Sequence, residues 1–241
     1  MKGLSLRRAT LEMFVIVGSI LLAFGLDAGW DAHQRQADAE DLLTDLLAEF
    51  EETATELERA VVRNEEVITA ATEILAQLTR SPGNPEVAAS ILAKLILVPT
   101  TDPRRGNLDA LVASGDFGLV SPRHLRGSLA DWPAALRDLQ EEELDARVFV
   151  QTTLIPFLAN AVELQPIFAW RLAATPSSRG VTDIDGTELS DDPMIRLPSD
   201  RQFSNLVATR RYLSQFTVSN AGTVQEELEA IVRALREAVT N

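Results

Sequence analysis

Between residues 11 and 78 the chain carries two hydrophobic patterns in succession. The first is solid: residues 13–26 are fourteen positions without a charge. The second is periodic. From residue 38 to residue 78, apolar positions recur every seven residues in two series. One is Leu43, Phe50, Leu57, Asn64, Ala71 and Leu78; the other is Leu47, Ala54, Val61, Ile68 and Leu75. The steps alternate between four and three, which gathers side chains into one seam along an α-helix. Glu49, Glu51, Glu52, Glu56, Glu58, Arg59, Arg63 and Glu65 fall mainly off that seam. At about 1.5 Å per residue the periodic stretch predicts a helix on the order of 60 Å long. Such a helix is suited to a homomeric coiled coil or to packing on later helices of its own chain. Asn64 is the polar member of the seam. It reads either as a group that fixes register or as a partly exposed polar break.

The solid segment bears on location. A bilayer core takes about 20 apolar residues to cross, and a run of about 10–14 is ambiguous. Leu11, Ala28, Gly29 and Trp30 extend the run to positions 11–30, with only Glu12 and Asp27 charged. Both lie near the ends, where a side chain reaches the headgroups. Trp30 suits an interfacial belt, and Lys2, Arg7 and Arg8 place the N-terminus in the cytoplasm. The expectation is a single-pass inner-membrane anchor. Residues 1–10 are then cytoplasmic, Arg7, Arg8 and Trp30 lie at the interfaces, and everything after Trp30 is periplasmic. The alternative is a cleavable signal peptide with Ala23-Phe24-Gly25 as its small-x-small site. Helical continuity past Gly29, with no proline or turn cluster, favours the anchor. Gly25-x-x-x-Gly29 and Ser19-x-x-x-Ala23 are pairs that let two such helices approach closely.

Beyond the long helix the punctuation is frequent. Ser81-Pro82-Gly83-Asn84 ends it. Asn84 with Pro85 reads as an N-cap and first residue of a helix running to Val98. A loop over 99–106 leads to a short helix from Asn107, which stops at Ser114-Gly115, with Gly115 suited to a left-handed cap. Ser121-Pro122 starts another helix, interrupted at Asp131-Trp132-Pro133. A further helix runs from there to about Glu163, with Pro156 as a kink. Residues 165–199 read as an irregular acidic loop with a short helix over 167–173. Two terminal helices follow, one over 200–216 and one from Thr223, where Glu226 completes a capping box. No strong period-2 run stands out. The expected architecture is all-α. A transmembrane helix (11–30) continues into a long amphipathic helix (31–80) packed with a helical bundle (81–164), followed by the loop (165–199) and a C-terminal helical pair (200–241).

Composition narrows the partners. The net charge is −14, and removing Lys2, Arg7, Arg8, Glu12 and Asp27 with the first 30 residues leaves the remainder still more acidic. An acidic domain is repelled by nucleic acid and anionic lipid. With no cysteine in the chain, disulfides, thiolate metal sites and cysteine nucleophiles are excluded.

Candidate chemistry is sparse. Asp183-Ile184-Asp185-Gly186-Thr187 matches the opening signature of haloacid-dehalogenase-like phosphatases, whose two carboxylates need a buried strand and a magnesium ion. Residues 177–182 form no hydrophobic strand, and no lysine follows Lys94 to serve as that family's downstream lysine. As a calcium loop, Asp183, Asp185 and Asp192 would fall at positions three, five and twelve, with the first ligand missing. A solvated acidic loop explains the same residues. His33 and His124 lack the neighbours that metal binding or triad catalysis demands.

Several features together carry a resemblance. They are the anchor ending in Trp30 shortly before Arg35, the Leu/Glu-rich helix, and Leu108-x-x-Leu111-x-x-Ser114-Gly115-x-Phe117-x-Leu119-Val120 followed by Leu125-x-x-x-Leu129. In these the chain resembles uncharacterised bacterial proteins with one N-terminal membrane helix and a helical domain of unknown function. The resemblance covers most of residues 8–160 and, more faintly, the last helix. It implies location and fold and brings no catalytic residue or cofactor. The expected role is non-enzymatic: scaffolding or binding other envelope proteins, or a second copy of the chain. The alternative is a ligand- or ion-sensing ectodomain whose one candidate cofactor is a divalent cation.

Overall fold

The structure, a computed structural model, describes residues 3–173 and 192–240. Inside its helices the side chains of 3–16, 20, 28, 32 and 173 are outside the description. The described chain is predominantly helical. Helix α1, Gly3–Arg80, is 78 residues long, about 117 Å at the standard rise. Between residues 30 and 80 it holds no glycine, proline or serine, so nothing in its sequence asks for a kink. It ends where Pro82 and Gly83 follow.

Helix α7, Arg201–Thr240, lies along α1 in the opposite direction. Its buried positions advance by four and three in two series. One is Phe203, Arg210, Thr217, Val224 and Ile231; the other is Val207, Ser214, Ala221, Leu228 and Leu235. On α1 the series Leu43, Phe50, Leu57, Asn64 and Ala71 is buried, but its companion differs from the expected one. Leu46, Thr53, Ala60, Val67 and Ile74 are buried, whereas Leu47, Ala54, Val61, Ile68 and Leu75 are half-buried. Apolar residues flank the first series on both sides, so periodicity alone does not choose between flanks. Packing on α7 turns the stripe toward the one that includes Thr53.

A hydrogen bond from Ser214 to Asn64 fixes the register of the two helices. Heptad steps in opposite directions then set Leu57 level with Ala221, Phe50 with Leu228 and Ala71 with Val207. The core sorts the same way. Leu57, Phe50, Ala221 and Leu228 share one hydrophobic cluster, and Ala71 and Val207 share a second.

The remaining elements wrap this pair. Strands β1, Glu86–Ala88, and β2, Met194–Arg196, pair antiparallel with Val87 opposite Ile195. Helices α2, Ala89–Leu95, and α3, Gly106–Ser114, flank α1. A 3-10 turn, Phe117–Leu119, precedes α4, Arg123–Phe149. A π-helical turn at Val150–Leu154 leads into α5, Ile155–Ala161, and α6, Leu164–Ala173.

Several expectations are corrected here. The stretch after Asn84 is strand before it is helix, because Met194–Arg196 returns to pair with it. Asn84 bonds Glu86 and Arg196 rather than capping α2. Helix α4 passes unbroken through Pro133. Leu129, Trp132 and Leu136 are buried on both sides of the proline, with Trp132 against Phe50 at a ring separation of 5.5 Å. At Pro156 the chain widens into the π-helical turn just before the ring, where a missing N–H and a clash with the preceding turn must be absorbed. The expected pair of terminal helices is one helix. The buried steps Thr217, Ala221 and Val224 carry through Gly222 without a change of phase, and packing on α1 outweighs its poor helix propensity. Gly115 does adopt the left-handed cap, with φ 69° and its N–H on Leu111 O at 3.1 Å.

These two glycines give opposite expectations. An added Cβ meets nothing within 4 Å at either site, but only Gly115 has a positive φ. Gly222→Ala raises stability by about 0.5–1 kcal/mol, and Gly115→Ala lowers it by about 1–2 kcal/mol. Denaturant unfolding of the two variants checks both signs.

Candidate functional site

Two features stand out from the ordinary packing of the bundle: a bare stretch of α1 and a belt of buried polar groups.

Every described side chain of α1 from residue 17 to residue 38 is exposed. Leu21, Leu22, Phe24, Leu26 and Trp30 are each about two-thirds exposed, and Val17 nearly half. The first buried residue among the described ones is Leu43. Residues 17–41 of α1 therefore project as an arm, mostly apolar along 17–26 and polar over 31–41. Among the described residues no helix is long and apolar enough to cross a membrane. The side chains of 11–16, 20 and 28, on which part of the expected anchor falls, are not among them, nor are those of Arg7 and Arg8.

The belt lies between the two hydrophobic clusters. Arg210 is completely buried. Its Nε donates to Leu95 O at 3.2 Å, Nη2 to Leu97 O at 2.5 Å and Nη1 to Ser214 Oγ at 2.8 Å. Ser214 in turn donates to Asn64 Oδ1 at 3.0 Å, and Asn64 Nδ2 donates to Ala60 O at 3.0 Å. Leu95 and Leu97 sit at the C-terminal end of α2, where carbonyls have lost their helical partners and a cation is favoured. The described guanidinium contacts are all to neutral oxygens, and burial pushes the Arg210 pKa down to about 10. Asn64 is thus a buried, bonded member of the seam rather than an exposed break.

Glu143 of α4 is buried as well. Thr101 N–H donates to both its oxygens, at 2.9 and 3.0 Å, while Gln140 Nε2 donates to Thr101 O at 3.1 Å. Burial raises the Glu143 carboxyl above its ordinary 4.5, against the pull of the Thr101 hydrogen bonds and of Arg147. On α1, Glu49 accepts Asn107 N–H at 2.8 Å and Leu108 N–H at 3.2 Å, holding the first turn of α3. Between them the three charged residues hold the non-helical connection from α2 to α3 and its two ends: Arg210 the end of α2 and Leu97, Glu143 the middle at Thr101, and Glu49 the first turn of α3. Residues 96, 97, 99, 101 and 103 of that connection are buried.

Chemically the belt binds backbone. The crevice between α1, α4 and α7, where Asn64, Thr101, Glu143 and Thr217 meet, has no room for a water-sized guest. A more open groove of about 300 Å³ lies at Leu75, Leu78, Pro82 and Arg201. Asp200 at its edge already accepts the Phe203 N–H at 2.7 Å. Of the proposed cation ligands, Asp183 and Asp185 lie outside the described residues. Asp192 accepts the Ser90 N–H at 3.0 Å, at the start of α2. Among the described residues no cluster of three acidic or histidine side chains could hold a metal. His33 and His124 are both exposed.

Sequence reasoning missed Arg210, Glu143, Glu49 and Thr101. A signal for Arg210 existed: it occupies a heptad position between Phe203 and Thr217, where an arginine must be buried or break the stripe. Compared with known proteins, the chain matches no family model, no curated protein and no solved structure.

Two measurements test the belt. Arg210→Ala strands two carbonyls and destabilises the fold by about 2–4 kcal/mol, read from denaturant midpoints. For Glu143 the raised pKa means that the folded state binds the proton more tightly than the unfolded chain. Its contribution is complete below pH 4.5 and is lost as pH rises through the folded value. The stability of the native protein should fall relative to Glu143→Gln as pH is raised from 4.5 toward neutrality. Parallel pH profiles for the two proteins would contradict this.

Proposed function

We propose that the chain is a membrane-anchored helical interaction protein of the bacterial envelope. Residues 11–30 serve as a single-pass anchor in the inner membrane, and the acidic bundle lies on the periplasmic side. The reading is carried by one observation: among the described residues, Leu21, Leu22, Phe24 and Leu26 of the apolar stretch of α1 are each about two-thirds exposed. Apolar side chains around a whole helix call for burial in another phase or another protein. Met13, Phe14, Val15, Ile16 and Ile20 complete the run in sequence, and Lys2, Arg7 and Arg8 precede it. Those three residues support a cytoplasmic N-terminus.

The role assigned to the bundle is non-enzymatic. It presents a rigid helical surface to other envelope proteins or to a second copy. Among the described residues the buried charged groups Glu143, Glu49 and Arg210 each hold backbone.

Fractionation tests the anchor. The full chain should sediment with membranes and resist alkaline carbonate, while a chain beginning at residue 37 should remain in the supernatant. A periplasm-active reporter fused after Asn241 should be active. A full chain found in the supernatant, or an inactive reporter, would overturn the anchor or its orientation respectively.

A further inference from the structure

The polar part of the arm has its own geometry. Among residues 31–41 the described side chains are exposed, apart from Ala39, which is half-buried. None is packed in the core, yet the helix runs on without interruption into the buried seam at Leu43. A helix that is polar all round is one that bridges solvent and is supported by pairs four residues apart. Such pairs are present: Gln34 donates to Asp38 at 3.3 Å, Gln36 to Glu40 at 3.1 Å, and Thr44 Oγ1 to Glu40 O at 2.9 Å. Sharp kinks arise at proline, at glycine or serine pairs, or at π-bulges. From Trp30 to Arg80 the sequence offers no glycine, proline or serine, and α1 is α-helical throughout. The charge is one-sided: Asp31, Asp38, Glu40, Asp41 and Asp45 stand against Arg35. Carboxylates are repelled by the negative surface of an anionic leaflet.

We infer that residues 31–41 form a rigid acidic spacer that holds the bundle upright and clear of the lipid headgroups by on the order of 20 Å. This rests on the anchored reading above. The bundle therefore does not lie on the bilayer. Its far end, where β1 follows α1 and pairs with β2, stands about 75 Å from Trp30 along α1. The partner it meets is a protein held at that height, not a lipid surface. The stiffness comes from clamping: a free helix of eleven residues is marginal in water, but this one is continuous with the seam at one end and with the anchor at the other.

The chain lacks cysteine, so Asp45→Cys in the full chain accepts a single label. The chain is reconstituted in phosphatidylcholine vesicles with and without anionic lipid, and label-to-headgroup distances are measured by energy transfer. The expected result is a narrow distribution near 20 Å, unchanged by anionic lipid. Deleting residues 32–38 should shorten it by about 10 Å, since seven residues are two turns and keep the helix phase. Replacing residues 34–37 with glycines should broaden it. If the chain floats with vesicles but the label lies at headgroup level, or the deletion leaves the distance unchanged, the spacer is wrong and the anchor stands. If the chain does not float with vesicles, the anchor reading fails and the spacer with it.

Discussion

A stretch of backbone without helix or strand to satisfy it runs through the middle of this bundle. Buried N–H and C=O groups must find partners, and here the partners are charged side chains from three helices. Arg210 on α7 takes the carbonyls of Leu95 and Leu97. Glu143 on α4 takes the Thr101 N–H, and Glu49 on α1 takes the N–H groups that open α3. Hydrogen bonds to ionised groups are the stronger kind, and burying an ion is tolerable only when its hydrogen-bonding capacity is used.

The consequence reaches the whole fold. Polar groups at this level divide the interior into two hydrophobic clusters. They also interrupt the mostly apolar antiparallel seam at Asn64, Arg210, Ser214 and Thr217. Polar residues in such a seam lower stability but select one register, because a slip of one heptad would bury them unpaired. The α1–α7 pair can thus afford long, repetitive apolar stripes without ambiguity about alignment.

Helix α1 leads two lives. Beyond Leu43 it is the central element of the core; before it, the described side chains are almost all bare. One uninterrupted helix therefore joins the arm to the packed interior, and any force or orientation imposed on the arm is delivered to the seam with α7.

Much of this was legible along the chain. The series Leu43, Phe50, Leu57, Asn64 and Ala71 marks the buried face of α1, and Gly115 marks a left-handed cap, because period and φ preference are local properties. Where two local signals competed, the outcome was not legible. The capping box at Thr223 and Glu226 read as a new helix start and Pro133 as a break, yet burial of Ala221 and Val224 on one helix and of Trp132 and Leu136 on the other carried the helices through. The two-stranded pair joins segments about a hundred residues apart, and three-residue strands are too short to show a period. What the sequence alone determined was the helical class, the uncharged apolar run and the acidity, since each depends on residue type and nearest neighbours. Only the tertiary structure decided which flank of the α1 stripe is buried and that Arg210, Glu143 and Glu49 hold one connection and its two ends. Those outcomes depend on which backbone groups the fold leaves without partners, and that exists only once the helices have come together.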